Sequence, residues 1–175
     1  IAAMRRLGAV TAVVPAQERS ADSHSLTLHK PIRVHEVSPR LFTLNGKPAD
    51  CSRLGILEIM KSNVDLVVSG INRGYNLGED IVYSGTVAAA REATLLGLPA
   101  IAFSQDPEGA DYRVCAAFAA KLATLVLTKG IPRGICLSVN CPAPKAGELK
   151  RALVTRLGKR IYSKDVTLRR DPRGG

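Results

Sequence analysis

The residues best suited to chemistry fall in one stretch, SGINRGYNLGEDIVYSGTVAAA, from Ser69 to Ala90. Gly70, Gly74 and Gly78 let the backbone turn tightly and approach a ligand. Asn72 and Asn76 supply neutral oxygen and nitrogen. An Asn oxygen suits a hard cation such as magnesium, calcium or manganese, and an Asn amide can donate to a phosphate oxygen. The same residues would also serve a purely structural turn, because Asn tolerates left-handed backbone and caps free groups. Ser84-Gly85-Thr86 then opens a predicted helix. Free N–H groups and the positive end of the helix dipole make such a start an anion site. The Ser84 and Thr86 hydroxyls add donors, although Ser84 is equally a good N-cap. A Gly/Asn loop and a hydroxyl-capped helix at one strand end are more specific together than either alone. The spacing of a Walker P-loop is absent.

A second loop, Pro15 to Ser25, follows a predicted strand ending at Val14. It gathers hydroxyls, carboxylates and a histidine. Ser20 can contact a metal or a phosphate. His24 can give a proton to a leaving alcohol or orient a water, or simply stand solvated. His29 and His35 alternate with apolar residues and read as surface positions.

These loops need a scaffold, and the composition says which kind. The chain has 175 residues, 46% of them hydrophobic, with 4% aromatics and no Trp. That suits one domain over residues 1–175 with an aliphatic core. The apolar runs are too short to cross a bilayer and no leader pattern opens the chain, so a cytoplasmic protein is expected. The net charge of +10 comes from 25 Lys and Arg against 15 Asp and Glu. It favours anionic partners, and the excess is strongest from Lys150 onward. Cys51, Cys115, Cys136 and Cys141 show no zinc spacing and read as free buried thiols.

The predicted elements alternate. Ile1 to Leu7 reads as the end of a helix, and Ala9 to Pro15 as a buried strand. Ser25 to Val37 reads as extended edge structure, and LFTLNGK as a strand running into a turn. Pro48 to Asn63 has helical periodicity. Leu66 to Val68 is a continuous apolar run, the mark of a parallel strand covered on both faces. A helix from Ser84 stops at Gly97. PAIAFS is a strand, Asp111 to Gly130 a helix, GICLSVNCP a strand and Leu149 to Leu157 another. Alternating strands and helices predict an α/β sheet. Its ligand loops lie past the strand ends, after Val14, Val68 and Val139.

At this level of detail the chain resembles the SurE family (stationary-phase survival proteins, 5'/3'-nucleotidases). The resemblance rests on SGIN…NLG…YSGTV, followed by LGLPAIAFS. The loop VVPAQERSADSHSLT, the turn GKPADC, the strand end SVNCP and DPRG are also similar to family segments. It covers essentially the whole chain. It implies a three-layer α/β/α Rossmann-like fold with a mostly parallel sheet. It implies hydrolysis of nucleoside 5'- or 3'-monophosphates, and in some members of polyphosphate. One magnesium or manganese ion per subunit is implied, held by Ser20, Asn72 and two adjacent Asp of an NDDG motif. Asn76 and Ser84 then lie at the substrate phosphate with the Gly85 and Thr86 amides, and His24 stands beside them as an acid. Homodimers or homotetramers are implied.

The chain departs from the pattern in places. No NDDG occurs, and the two Asp ligands are expected upstream of Ile1 in a longer protein. Lys47 stands where Thr is usual, Ala16 where Asp is usual, and Ser138 for an Asn. Two other classes of function stay open: a nucleotide-binding module without catalysis, and a nucleic-acid-binding protein. The charge favours the second, but no basic and aromatic stacking platform supports it.

Overall fold

The computed structural model describes residues 1–108, 111–142 and 151–159. Along the chain run strands β1 (Ala12–Pro15), β2 (Val34–Ser38) and β3 (Leu41–Leu44) and helix α1 (Pro48–Leu54). Then come β4 (Val67–Arg73), α2 (Asp80–Tyr83), α3 (Gly85–Leu95), β5 (Ala100–Gln105), α4 (Arg113–Lys129) and β6 (Cys136–Cys141).

β5 is the strand on which the layers are built. All six of its residues are buried. Successive side chains of a strand point to opposite faces. Accordingly Ala100 and Ala102 join Ile56, Val87, Ala90 and Ala93 on the α3 side. Ile101 and Phe103 join Cys115, Ala119 and Val126 on the α4 side. Alanines on both α3 and β5 let the helix lie close, and the bulkier face takes α4. The result is helix, sheet, helix: a three-layer α/β/α arrangement.

β5 pairs in parallel with β4 on one side and β6 on the other. β1 pairs in parallel with β3, and β2 lies antiparallel at the far edge. The described strands therefore form two three-stranded sheets, β1-β3-β2 and β4-β5-β6. β1 and β4 are edges that face one cavity, and residues of both line it. That explains why β1, expected to be buried, leaves Val14 41% exposed. It also explains why β4 is only half-covered.

Several boundaries differ from the sequence expectation. The first residues hold a 3-10 turn, Met4–Arg6, where helix was expected from Ile1 to Leu7. The helix from Pro48 gives way to a π-helical turn at Gly55–Ile59. There Gly55 packs against β1, and a Cβ on it would stand 3.1 Å from Val13 Cγ2. β4 runs on to Arg73, so Asn72 belongs to a strand and not to a loop. Its pairing shifts register between Ser69 and Asn72, a bulge that keeps Asn72 opposite Ser104. Residues 151–159 are exposed and carry no strand, where one was expected over Leu149 to Leu157; residues 149 and 150 lie outside the described residues. Lys150 and the DPRG segment lie outside the described residues, as does most of the basic C-terminal stretch.

Candidate phosphate and metal site

The cavity between β1 and β4 has a volume of about 1010 Å³. Its lining includes Val13, Val14, Val67 and Val68, and also Ser20, Asn72, Asn76, Ser84, Gly85 and Thr86. The residues read from the Ser69–Ala90 stretch and from the Pro15 loop thus line one cavity. His24 does not join them: the lining of this loop stops at Ala21.

Each side chain is held for a physical reason. Asn72 Nδ2 donates to the Gly74 carbonyl at 2.9 Å, which leaves its Oδ1 as the atom for a ligand. Gly70 makes the approach to Asn72 practicable. It has φ +112°, and a Cβ there would run into the Phe103 carbonyl oxygen of β5. Asn76 is 7% exposed. Its backbone N–H donates to Asn140 Oδ1 at 2.8 Å, and Asn140 Nδ2 returns a bond to the Asn76 carbonyl at 3.1 Å. Asn76 Nδ2 donates to Ser104 Oγ at 2.6 Å. An amide nitrogen carries two hydrogens, so the second remains for an anion. Tyr75 Oη donates to Asp106 Oδ2 at 2.7 Å. Burial first, and then that hydrogen bond, push the phenol up to about 12, so it stays a neutral donor.

Ser84 caps α3: its Oγ accepts the Val87 N–H at 3.2 Å. The first N–H groups of a helix have no intrahelical partner. With Val87 satisfied, the Gly85 and Thr86 amides are the ones left for an anion, together with the Ser84 hydroxyl proton. Close packing brings this helix end to the cavity. A Cβ on Gly85 would lie 2.7 Å from Pro48 Cγ and 3.4 Å from the Arg19 carbonyl. Gly85→Ala is therefore expected to push α3 off α1. Overpacking of this kind costs about 1–3 kcal/mol. A lowered midpoint in thermal circular dichroism, with weaker inhibition by inorganic phosphate, checks it.

The loop that carries Ser20 is anchored from below. Asp50, 3% exposed, accepts Thr27 N at 2.9 Å, Thr27 Oγ1 at 2.7 Å and Lys47 N at 2.8 Å. Lys47, the unusual residue of the GKPADC turn, sends its Nζ to Ser25 Oγ at 2.8 Å. Its charge is spent on the loop, since it does not line the cavity. Ser23 N donates to the Tyr83 carbonyl at 3.1 Å, next to the α3 cap. Ser20 Oγ donates to Glu18 Oε1 at 3.1 Å.

His24 is held by a residue that sequence reasoning passed over. Its Nε2 lies 2.9 Å from Glu92 Oε2, and Arg53 Nη1 lies 2.8 Å from Glu92 Oε1. Glu92 is 3% exposed. A carboxylate only accepts, so His24 Nε2 carries the hydrogen of this bond. A charged residue in a helix is read as solvent-facing by default, and nothing local in REATLL signals otherwise. Ser104 gave no signal either. Asn140 did, through the strand end SVNCP.

The donor set in the lining can be tested against a cation. Asn72 Oδ1 and Ser20 Oγ are hard, neutral oxygens, which fit magnesium or manganese in kind and not a soft metal. They carry no charge. Among the described residues, no group of three or more His, Cys, Asp or Glu is placed to hold a metal.

Fold and cavity together define an α/β protein whose cavity lining includes candidate donors for an anion and candidate oxygens for a hard cation. A family model described as Survival protein SurE matches residues 1–164. The chain belongs to the SurE family. It is 52% identical over 174 residues to the 5'-nucleotidase SurE of Geobacter sulfurreducens, covering 98% of this chain and 66% of that protein. It is 47% identical to the 5'-nucleotidase SurE of Geobacter metallireducens, covering 98% and 69%. The crystal structure of the SurE protein from Aquifex aeolicus superposes with a TM-score of 0.88 at 41% identity, covering 99% of this chain and 71% of that one. The chain thus spans about two thirds of the length of the curated relatives it matches. No helix among the described residues is long and apolar enough to cross a membrane.

Proposed function

We propose that the protein containing this chain hydrolyses nucleoside 5'- or 3'-monophosphates to nucleoside and phosphate, with a magnesium or manganese ion, as a cytoplasmic homodimer or homotetramer. Polyphosphate is a further substrate of the same chemistry. The observation that carries this reading is that Ser20, Asn72, Asn76, Ser84, Gly85 and Thr86 all line one cavity. The names of the relatives support the nucleotidase activity.

In this mechanism the phosphate sits against the N-terminus of α3. The Gly85 and Thr86 N–H groups and the Ser84 hydroxyl donate to its oxygens. They strengthen as negative charge develops there, because they are already oriented. The second hydrogen of Asn76 Nδ2 donates from the opposite wall. Its direction is fixed by the bonds to Ser104 and Asn140. Asn72 Oδ1 and Ser20 Oγ would hold the cation, and the two carboxylates of the family's NDDG motif would supply the charge. When bound, the cation neutralises phosphate charge and makes water a better nucleophile. His24, the acid that the family resemblance implies, is bonded through Nε2 to Glu92 and does not line this cavity, so no step is assigned to it.

The test is release of phosphate from AMP and p-nitrophenyl phosphate by the complete protein with manganese. Asn72→Ala is expected to lower activity about a hundredfold, the scale on which lost ligand-shell contacts act. It is also expected to weaken manganese binding measured by calorimetry. Unchanged activity in Asn72→Ala, or with EDTA present, would sink the metal role. Nucleotide binding without any phosphate release would instead identify a non-catalytic binding module.

A further inference from the structure

The four cysteines are free thiols, but two of them are not solitary. Cys115, in the first turns of α4, and Cys141, the last residue of β6, place their sulfurs 2.7 Å apart. Each is 2% exposed. They sit in the cluster of Ile101, Phe103, Ala119 and Val126, on the α4 side of the sheet. Residues 26 positions apart have been brought sulfur to sulfur by the packing of α4 on β5 and β6. Cys51 lies on α1 and Cys136 at the opposite end of β6, so neither competes for this contact.

The surroundings divide the labour within the pair. The Cys115 S–H donates to the Cys141 sulfur, which lowers the cost of charge on Cys141, while burial raises that cost for both thiols. The thiolate is the reactive form of cysteine. A small neutral oxidant can reach such a site through ordinary local opening of the structure.

We propose that Cys115 and Cys141 form a thiol–disulfide modification site, closed by a hydroperoxide and reopened by a dithiol reductant. The Cys141 thiolate attacks a peroxide oxygen. The O–O bond breaks, hydroxide leaves, and Cys141 becomes a sulfenic acid. The Cys115 sulfur then attacks the Cys141 sulfur. The S–S bond forms, the S–O bond breaks, and the Cys115 proton leaves with the oxygen as water. With hydrogen peroxide the sum is two thiols and one peroxide giving one disulfide and two waters.

The link would tie β6 to α4 at a position that matters for the cavity. Cys141 directly follows Asn140, whose side chain clasps the Asn76 backbone from both sides. The Cys141 carbonyl also accepts the Asp106 N–H at 3.0 Å, and Asp106 in turn accepts from Tyr75. A disulfide at Cys141 therefore restrains the strand end on which the Tyr75–Asn76 segment rests.

The test uses the complete protein in native buffer with hydrogen peroxide or diamide, followed by alkylation and non-reducing peptide mapping. The expected result is a Cys115–Cys141 linked peptide that dithiothreitol removes, with Cys51 and Cys136 still alkylated. Hydrogen exchange over residues 74–77 is expected to slow in the linked form and to recover on reduction. In Cys115→Ser, peroxide is expected to leave Cys141 as a sulfenic acid that dimedone traps. Full alkylation of all four thiols after both oxidants overturns the proposal, as does a link between any other pair. A link without slowed exchange overturns the coupling to Asn76. An untrapped Cys141 in Cys115→Ser overturns its assignment as the attacking sulfur.

Discussion

Gly70→Ala is expected to yield little folded protein, and what folds should melt well below the parent. Two costs add. At φ +112° an L side chain is strained by about 1–3 kcal/mol. The new Cβ also meets the Phe103 carbonyl oxygen of β5, a backbone atom that cannot swing aside. β4 and β5 would have to separate where Asn72 pairs with Ser104. Together these come to about 4 kcal/mol or more, against a usual domain stability of about 5–15 kcal/mol. Gly97→Ala is the control. Its φ is +85° and nothing lies within 4 Å, so only the backbone strain applies. Thermal circular dichroism on both variants checks the contrast, and equal midpoints would show that the close approach of Gly70 to β5 costs nothing.

Asp50→Ala is the second large effect. It removes the acceptor of three hydrogen bonds and leaves Thr27 N, Thr27 Oγ1 and Lys47 N without it. Leaving a buried donor unsatisfied costs about 1–3 kcal/mol. Lys47 N and Thr27 are only partly covered, so water recovers some of that, and about 3–4 kcal/mol is expected in all. The local consequence matters more. Thr27 closes the loop that begins at Ala16 and carries Ser20 and His24, and Asp50 is its tie to α1. Urea unfolding should show a lowered midpoint at an unchanged slope. Limited proteolysis should cut within residues 16–27 while β5 and α4 stay protected. Loss of stability without new cleavage in that loop would place the role of Asp50 in α1 alone.

Much of this fold is legible in the sequence where one local rule acts unopposed. β5 follows from the apolar run PAIAFS, α4 from its length and its closing Gly130, and α3 from Ser84 and Gly97. The extent of β4 is not legible. SGIN reads as a turn because Gly and Asn are turn formers, and the strand continues only because Phe103 leaves room for a residue with no Cβ. The candidate site divides in the same way. Asn72, Asn76, Ser84, Gly85 and Thr86 fall within a single stretch whose types announce an anion or cation, and Ser20 lines the same cavity from another loop. Ser104 and Asn140 orient Asn76 across 28 and 64 residues, a pairing that no local pattern encodes. Glu92 hides for a different reason. A buried carboxylate is costly without partners, and its partners His24 and Arg53 come from two other elements.

The bond from Tyr75 to Asp106 has an optical consequence. This chain contains four tyrosines and no tryptophan. Phenol emission is therefore not lost to an indole, and a phenol that donates to a carboxylate is quenched in its excited state. Tyr75 adjoins Asn76, which lines the cavity. A ligand that loosens the Tyr75–Asp106 bond would brighten the protein near the tyrosine emission band, and one that tightens it would dim it. The chain carries a built-in light signal for events at its own candidate site, readable without any attached dye.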